Sequence, residues 1–312
     1  MSKVAVGLDI GGTKISACLI NQQGQASAAI QTATPAQEGA QAILDTAANL
    51  ILKLIRSADQ TPITCGIGSA GTFDLAGNVL QATEHLRGWA GTALSDEMTL
   101  RIGIPTFAMN DVHAAALGEL WFGAPKRDDR LAFVAVGSGI GGAIIADRRV
   151  LRGKSGQAGA IGHVPVAATK KRICNCGGEN HLEAFASGLA IEQTYYELSG
   201  VHLGLQKIGD LARNMDSTAL LAIQIAIDFL AEVLAHFITM TDPGLIILGG
   251  GVIGLGSLFV NPLFDQMRTL LQVPVVEIEM QVASLGNNAA MVGAGALALR
   301  HLDGEVIGNF FS

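Results

Sequence analysis

An apolar run, a cluster of glycines and a second apolar run occur twice in this chain of 312 residues, and that duplication constrains the fold more than any other feature. The first copy, KVAVGLDIGGTKISACLINQQGQ, alternates Ile15, Ala17 and Leu19 with smaller partners after Gly11-Gly12 and closes on a polar turn. That is the pattern of a β-hairpin with glycines at its tip. The second copy, RLAFVAVGSGIGGAIIADRRVLRG, has the run Leu131–Val136, a glycine turn from Gly137 to Gly142, then Ala143-Ile144-Ile145 and another polar turn. Two copies about 130 residues apart predict a duplicated, two-lobed α/β fold with a cleft between the lobes. The length allows each lobe a core of its own.

Between the repeats, AQEGAQAILDTAANLILKLIRSAD reads as a helix, ITCGIGSAG as a strand and the stretch from Asp111 to Trp121 as a second helix. Further helices are expected near 186–198 and 216–240, followed by a buried strand in PGLIILGGGVI. With 49% apolar residues, 15% charged residues and 39 glycines, the chain suits a well-buried mixed α/β protein. A net charge of −7 argues against nonspecific nucleic-acid binding, which needs clustered Lys and Arg. The densest basic spot, Lys170-Lys171-Arg172, is expected to be a solvated loop. No uninterrupted apolar run reaches ~18 residues, and MSKVAVGLDIGG lacks the pattern of a signal peptide, so no membrane partner and a cytoplasmic location are expected.

Gly137-Ser138-Gly139-Ile140-Gly141-Gly142 formally contains G-x-G-x-x-G. A dinucleotide-binding fingerprint must open a helix, whereas Ala143-Ile144-Ile145 continues as β-prone sequence. Glycines at a hairpin tip instead free backbone N–H groups to wrap a phosphate. Asp9, beside Gly11-Gly12-Thr13-Lys14, adds a carboxylate able to hold a Mg²⁺–water complex against such phosphates, with Thr13 and Lys14 as donors. The Gly249–Gly251 cluster strengthens a nucleotide-phosphate reading.

The stretch RICNCGGENHLE holds two of the four cysteines as C-x-C. A thioredoxin-like redox pair would want C-x-x-C, so a metal fits better. His163, Cys174, Cys176 and His181 supply two imidazoles and two thiolates, a tetrahedral set for a closed, structural Zn²⁺. Cys18 and Cys65, in strand-like runs, are expected in the core. In TFAMNDVHAAALGE, Asn110 and Asp111 stand where a short strand meets an Ala-rich helix, and an Asp there is a favoured N-cap. A carboxylate there could also orient a hydroxyl nucleophile and take its proton.

LDIGGTK, VGSGIGGAI, HVPV followed by CNCGGENHLE, and PGLIILGGGV together resemble the signatures of the ROK (repressor, ORF, kinase) family of bacterial sugar kinases, within the actin-like ATPase (ribonuclease H-like) fold. The resemblance runs from about residue 4 to residue 300. It implies ATP bound between two lobes and transfer of the γ-phosphoryl group to a sugar hydroxyl. Asp9, Gly11, Gly12, Thr13 and Lys14 would form the first phosphate loop, Gly137, Ser138, Gly139 and Gly141 the second, and Gly249, Gly250 and Gly251 would border the adenosine. Asp111 becomes the general base, and Gly71, His85, Asn110, His163 and Glu183 join it around the sugar. The lobes are expected at 1–120 and 121–312, with the last helix free to pack back on the first lobe, and homo-oligomers are expected.

Several positions depart from the family pattern. His181 and Asn180 stand where the zinc loop usually has Cys and Gly, and His113 replaces a small amide residue, so it is read as a helix-surface or packing residue rather than a catalytic one. Ala160 replaces the Glu of GEIGH, His85 an Asn, and Ala70 a common Pro. Losing a buried carboxylate alters which sugar fits, pointing away from plain glucose toward a 2-acetamido sugar such as N-acetylmannosamine. Rival readings are a catalytically degenerate sugar sensor, a repressor, and an actin-like polymer or chaperone ATPase. The repressor would need a helix-turn-helix ahead of the first loop, which begins at residue 9, and the ATPase leaves the cysteine loop unexplained.

Overall fold

A computed structural model describes residues 3–83, 85–123, 130–271 and 278–302. The chain forms two compact units: one from residues 1–129, 145–158 and 283–312, the other from 130–144 and 159–282. They do not meet at a single boundary near residue 120, because the chain returns to the first unit twice.

In the first unit, β1 (Val4–Ile10) and β2 (Lys14–Asn21) pair antiparallel with Ile10 opposite Ile15, so Gly11-Gly12-Thr13 make the tip. A third strand that the sequence reading did not foresee, β3 (Ala26–Ala33), pairs with β2. Helix α1 (Ala40–Ser57) buries Ile43, Leu44, Ala47, Ile51 and Leu54 at helical spacing. Strand β4 (Thr64–Ser69) runs parallel to β1. The small hairpin β5 (Thr72–Phe73) and β6 (Val79–Gln81) and helix α2 (Leu94–Ile102) come next. Strand β7 (Thr106–Asn110) lies parallel to β4 and leads directly into α3 (Asp111–Phe122). The sheet order is β3-β2-β1-β4-β7.

The second hairpin joins β8 (Leu131–Val136) to β9 (Ile140–Ala146), so its turn is only Gly137-Ser138-Gly139; Gly141 and Gly142, expected in the turn, belong to the strand. The chain leaves the second unit within β9, and Ile145 and Ala146 pair with β10 (Arg149–Val150). Back in the second unit follow α4 (Glu183–Ala186), α5 (Gly188–Ser199), α6 (Leu205–Arg213) and α7 (Ser217–Thr241). Then come β11 (Leu245–Gly249), α8 (Val260–Leu270) and β12 (Glu279–Val282), with β11 parallel to both β8 and β12. The order β10-β9-β8-β11-β12 repeats that of the first sheet, the duplicated ribonuclease H-like arrangement that the resemblance implies. Helix α7 is long and apolar enough to cross a bilayer, yet Ala222, Ile223, Ala226, Ile227, Leu230 and Leu234 are buried in the core of this unit.

The last helix, α9 (Ala289–Leu302), belongs to the first unit, packed against β1, β4 and α3. Close approach explains its small residues. A Cβ on Gly7 of β1 would strike the Met291 carbonyl, one on Gly66 of β4 the Ala294 carbonyl, and one on Gly293 the Ala114 carbonyl of α3. At such spacing backbone meets backbone, and only glycine fits.

Candidate functional site

In the first unit, Asp9 lies on β1 opposite Ser16 of β2 and Gly68 of β4, just before the glycine tip. Gly12, Thr13 and Lys14 are exposed, and the Gly11 N–H donates to the Lys14 carbonyl at 3.0 Å, closing the turn. The Thr34 hydroxyl braces the tip from β3's end by donating to the Gly11 carbonyl at 2.7 Å. A Cβ on Gly12 would lie 3.9 Å from that of His85, which is exposed beside the tip.

Asp111 begins α3, but the N-cap is Asn110, whose Oδ1 accepts from the His113 N–H at 3.0 Å. The Asn110 amide donates to the Gly71 carbonyl at 2.9 Å and to Asp111 Oδ1 at 3.1 Å. Asp111 Oδ1 also accepts from the Val112 N–H at 2.9 Å. The amide thus takes the capping duty and leaves the carboxylate oriented. Gly68 of β4 lies against the start of α3, where a Cβ would sit at ordinary contact distance, 3.4 Å, from Asp111 Cα. Gly71 has φ +119°, which favours glycine, and a Cβ would meet the Gln81 carbonyl at 2.6 Å.

Burial, reinforced by the charge of Asp111 and opposed by Lys14, raises the Asp9 carboxyl to about 7. Burial also raises Asp111, against the pull of its backbone hydrogen bonds. Two carboxyls that repel one another beside an exposed lysine form a site suited to a cation or to a proton in transfer. His113, which the sequence leaves as a helix-surface or a packing residue, is buried, and its Nε2 lies 3.4 Å from the Ala158 carbonyl. Burial, with the Arg152 charge, lowers it to about 4.

In the second unit three glycine segments converge. The Gly137 N–H donates to the Gly139 carbonyl at 2.8 Å, and the Gly137 carbonyl accepts from the Gly188 N–H, at the start of α5, at 2.7 Å. Gly250, at φ +90°, lies against the end of β8, where a Cβ would meet Val136 backbone atoms. A Cβ on Gly137 would lie 4.0 Å from the Gly251 N. Gly137, Ser138, Gly139, Gly249, Gly250 and Gly251 are thus neighbours, with Gly141 just inside β9. The N-terminus of α5, set beside these glycines, favours an anion there.

The cysteine loop is a small hairpin closed by bridges at Ile173–Glu179 and Pro165–His181. It brings His163, Cys174, Cys176 and His181 together, with their ligand atoms all within 4.8 Å of one another. Cys174 Sγ is 3.8 Å from His163 Nδ1, and Cys176 Sγ is 3.1 Å from His181 Nδ1. Ligands around a tetrahedral zinc lie about 3.3–3.8 Å apart, so side-chain adjustment alone would close the set. Burial raises the Cys174 thiol to about 12, and a bound cation would displace that proton.

Both departures in the loop have a physical reading. Asn180 has φ +52°, a conformation Asn tolerates, and its Oδ1 accepts from the Arg172 N–H at 2.9 Å. His181 packs on Gly178, where a Cβ would meet the imidazole. Arg172, expected on a solvated loop, is instead a clamp. It donates to the Ala184 carbonyl at 3.1 Å, to Thr194 Oγ1 at 3.0 Å and to Glu197 Oε2 at 2.9 Å, over the Phe185 ring. Nothing in the local sequence signals this, because its partners lie 12 to 25 residues away. Cys18 and Cys65 are buried in strands, and burial pushes both thiols up.

A model of the ROK family matches residues 5–301. A glucokinase from Thermotoga maritima is 29% identical over 96% of this chain and 98% of its own length. An N-acetyl-D-glucosamine kinase from Pasteurella multocida is 26% identical, over 94% and 98% respectively. The crystal structure of a ROK family glucokinase from Streptomyces griseus, in complex with glucose and AMPPNP, superposes with a TM-score of 0.85 at 29% identity, over 95% of this chain and 99% of that one.

Proposed function

The chain belongs to the ROK family, and from that premise we propose that it is an ATP-dependent sugar kinase, transferring a phosphoryl group to a monosaccharide hydroxyl with Asp111 as general base. The observation that carries this reading is the Asp111 carboxylate, held at the start of α3 by the Asn110 amide and the Val112 N–H and raised in basicity by burial. A base with its pKa shifted toward the working pH accepts a hydroxyl proton more readily.

Asp9 would hold a Mg²⁺–water complex, with Gly11, Gly12, Thr13 and Lys14 on the phosphates. Gly137, Ser138, Gly139 and Gly141 would form the second phosphate loop, and Gly249, Gly250 and Gly251 the border of the adenosine. Gly71, His85, Asn110, His163 and Glu183 would contact the sugar. A Zn²⁺ held by His163, Cys174, Cys176 and His181 would be structural, fixing the loop that carries His163 and precedes Glu183. A cytoplasmic location and a homodimer or higher homo-oligomer accompany this reading.

For the sugar we propose an N-acetylhexosamine, N-acetylmannosamine being one candidate, because Ala160 and His85 remove a carboxylate and an amide of the glucokinase pattern. The test is an ADP-release assay with Mg-ATP across hexoses and N-acetylhexosamines, run beside Asp111→Asn. A preferred acetamido sugar, with kcat lowered about 10²–10⁴-fold in the variant, is expected. Equal turnover of glucose and N-acetylhexosamines would sink the sugar assignment. Sugar binding without turnover on any member would favour the degenerate sensor.

A further inference from the structure

A Cβ on Gly178 would lie 2.2 Å from His181 Cε1, 2.6 Å from its Nε2 and 2.8 Å from its Nδ1. The backbone does not call for glycine here: Gly177 has φ +85°, whereas Gly178 lies outside the left-handed region and would admit alanine. The imidazole alone fills the space. Neither backbone is free to withdraw from the other. The Cys174 N–H donates to the Gly178 carbonyl at 2.8 Å, and the next residue, Glu179, is bridged to Ile173. On the other side, the Asn180 N–H donates to the Arg172 carbonyl at 2.9 Å, the Asn180 carbonyl accepts from the Val166 N–H at 2.8 Å, and His181 is bridged to Pro165. Between these fixed segments the ring turns Nδ1 toward the ligand set, 3.1 Å from Cys176 Sγ.

We propose that Gly178 is the residue that lets an imidazole serve as metal ligand at position 181, and that it sets metal affinity through the ring and not through the fold of the loop. The inference rests on the zinc reading above and goes beyond it by assigning a positioning residue that is not itself a ligand. A side chain at 178 would force the ring to retreat by about 1 Å to reach ordinary contact near 3.5 Å. In the metal-free protein that costs little, because His181 is half-buried and a rotation toward solvent relieves the crowding. A ring engaged as a ligand has no such freedom, since metal–ligand distances hold to within about 0.2 Å. The clash therefore falls on the metal-bound state. A cysteine at 181 would escape it, because a thiol lacks the Cε1 and Nε2 atoms that approach Gly178 most closely.

The experiment measures zinc affinity of the intact protein by equilibrium competition with a chromogenic chelator, for the wild type, Gly178→Ala, His181→Cys and the two substitutions combined. Urea midpoints of the zinc-stripped proteins are measured alongside. Gly178→Ala should lower zinc affinity about 10–100-fold, the range for residues that orient a ligand from outside the ligand set, while its stripped midpoint stays at the wild-type value. In the His181→Cys background, where three cysteines and one histidine remain a competent tetrahedral set, the same substitution should leave zinc affinity unchanged. Unaltered zinc affinity in Gly178→Ala would overturn the inference while leaving the zinc reading intact. An equal loss in both backgrounds, or a lowered midpoint of stripped Gly178→Ala, would reveal a general effect on the loop and overturn the pairing of Gly178 with His181. Loss of zinc by His181→Cys alone would mean that the chemistry of the imidazole, rather than its bulk, rules this position, and would overturn it as well. Failure of the wild type to bind zinc would remove the zinc reading and this inference with it.

Discussion

His113, which its place in the sequence could have put on the helix surface or in packing, is buried, and that burial has a measurable consequence. Its imidazole is fully enclosed beside Arg152 and the Ala158 carbonyl and stays neutral down to about pH 4, whereas an unfolded chain protonates it near 6.5. Between those values the unfolded state binds the extra proton, so stability is lost as pH falls from 6.5 toward 4, by up to about 3 kcal/mol. His113→Asn should flatten this slope: the difference between wild-type and variant urea midpoints should shift in the variant's favour on going from pH 7 to pH 4.5. A constant difference across that range would refute it. At this scale the sequence displayed the chemistry-bearing residues, since Asp111 and the four metal-ligand candidates announce themselves by type and spacing. It hid the division of labour between Asn110 and Asp111, because either side chain can cap a helix and only the chain's path shows which one does. It also hid the Arg172 contacts and the hydrogen bond that Glu183 Oε2 accepts from the Ile140 N–H at 2.9 Å, which are made across folds of the chain.

At the scale of elements, glycine punctuation made both hairpins and the long helices legible. Strand β3, with most of its residues exposed, carried no apolar signature, and α2, α6 and α8 are short helices next to loops. Glycine at a strand centre was the less legible signal, because it weakens a strand locally and is explained only by what packs on it. Gly66 is such a case: its missing side chain admits the Ala294 carbonyl of α9. Gly66→Ala must push α9 off β4 and should cost about 3 kcal/mol, the upper part of the range for overpacked cores. Gly254→Ala, at an exposed position with open space, should shift stability by no more than about 0.5 kcal/mol. Urea unfolding of the two variants side by side makes the comparison, and equal midpoints would mean that α9 does not seat on the glycines of β4.

For the whole molecule, the repeat announced two units but not how the chain divides between them. A duplicated hairpin suggests a cut near residue 120 with the last helix free to return, and the first unit takes back residues 145–158 as well as 283–312. The reason is physical: the face of β1 and β4 that bears Gly7 and Gly66 is covered by α9, which buries Met291, Val292, Leu297, Leu299 and several alanines. At about 1.5–3 kcal/mol for each larger side chain, the burial contributed by this helix is on the order of 10 kcal/mol, comparable to the whole net stability of a domain. A fragment ending at residue 158 should therefore lack a cooperative thermal transition even though it carries Asp9, Asn110 and Asp111. Joining residues 283–302 to its C-terminus through a flexible Gly/Ser linker should restore the transition, because the helix needs only to reach its groove and not to arrive by way of the second unit. Calorimetry of the two fragments decides the matter: a sharp transition in the shorter one would show that the sheet and α1 to α3 suffice alone, and that the late return of the chain adds nothing to the stability of the unit carrying the proposed base.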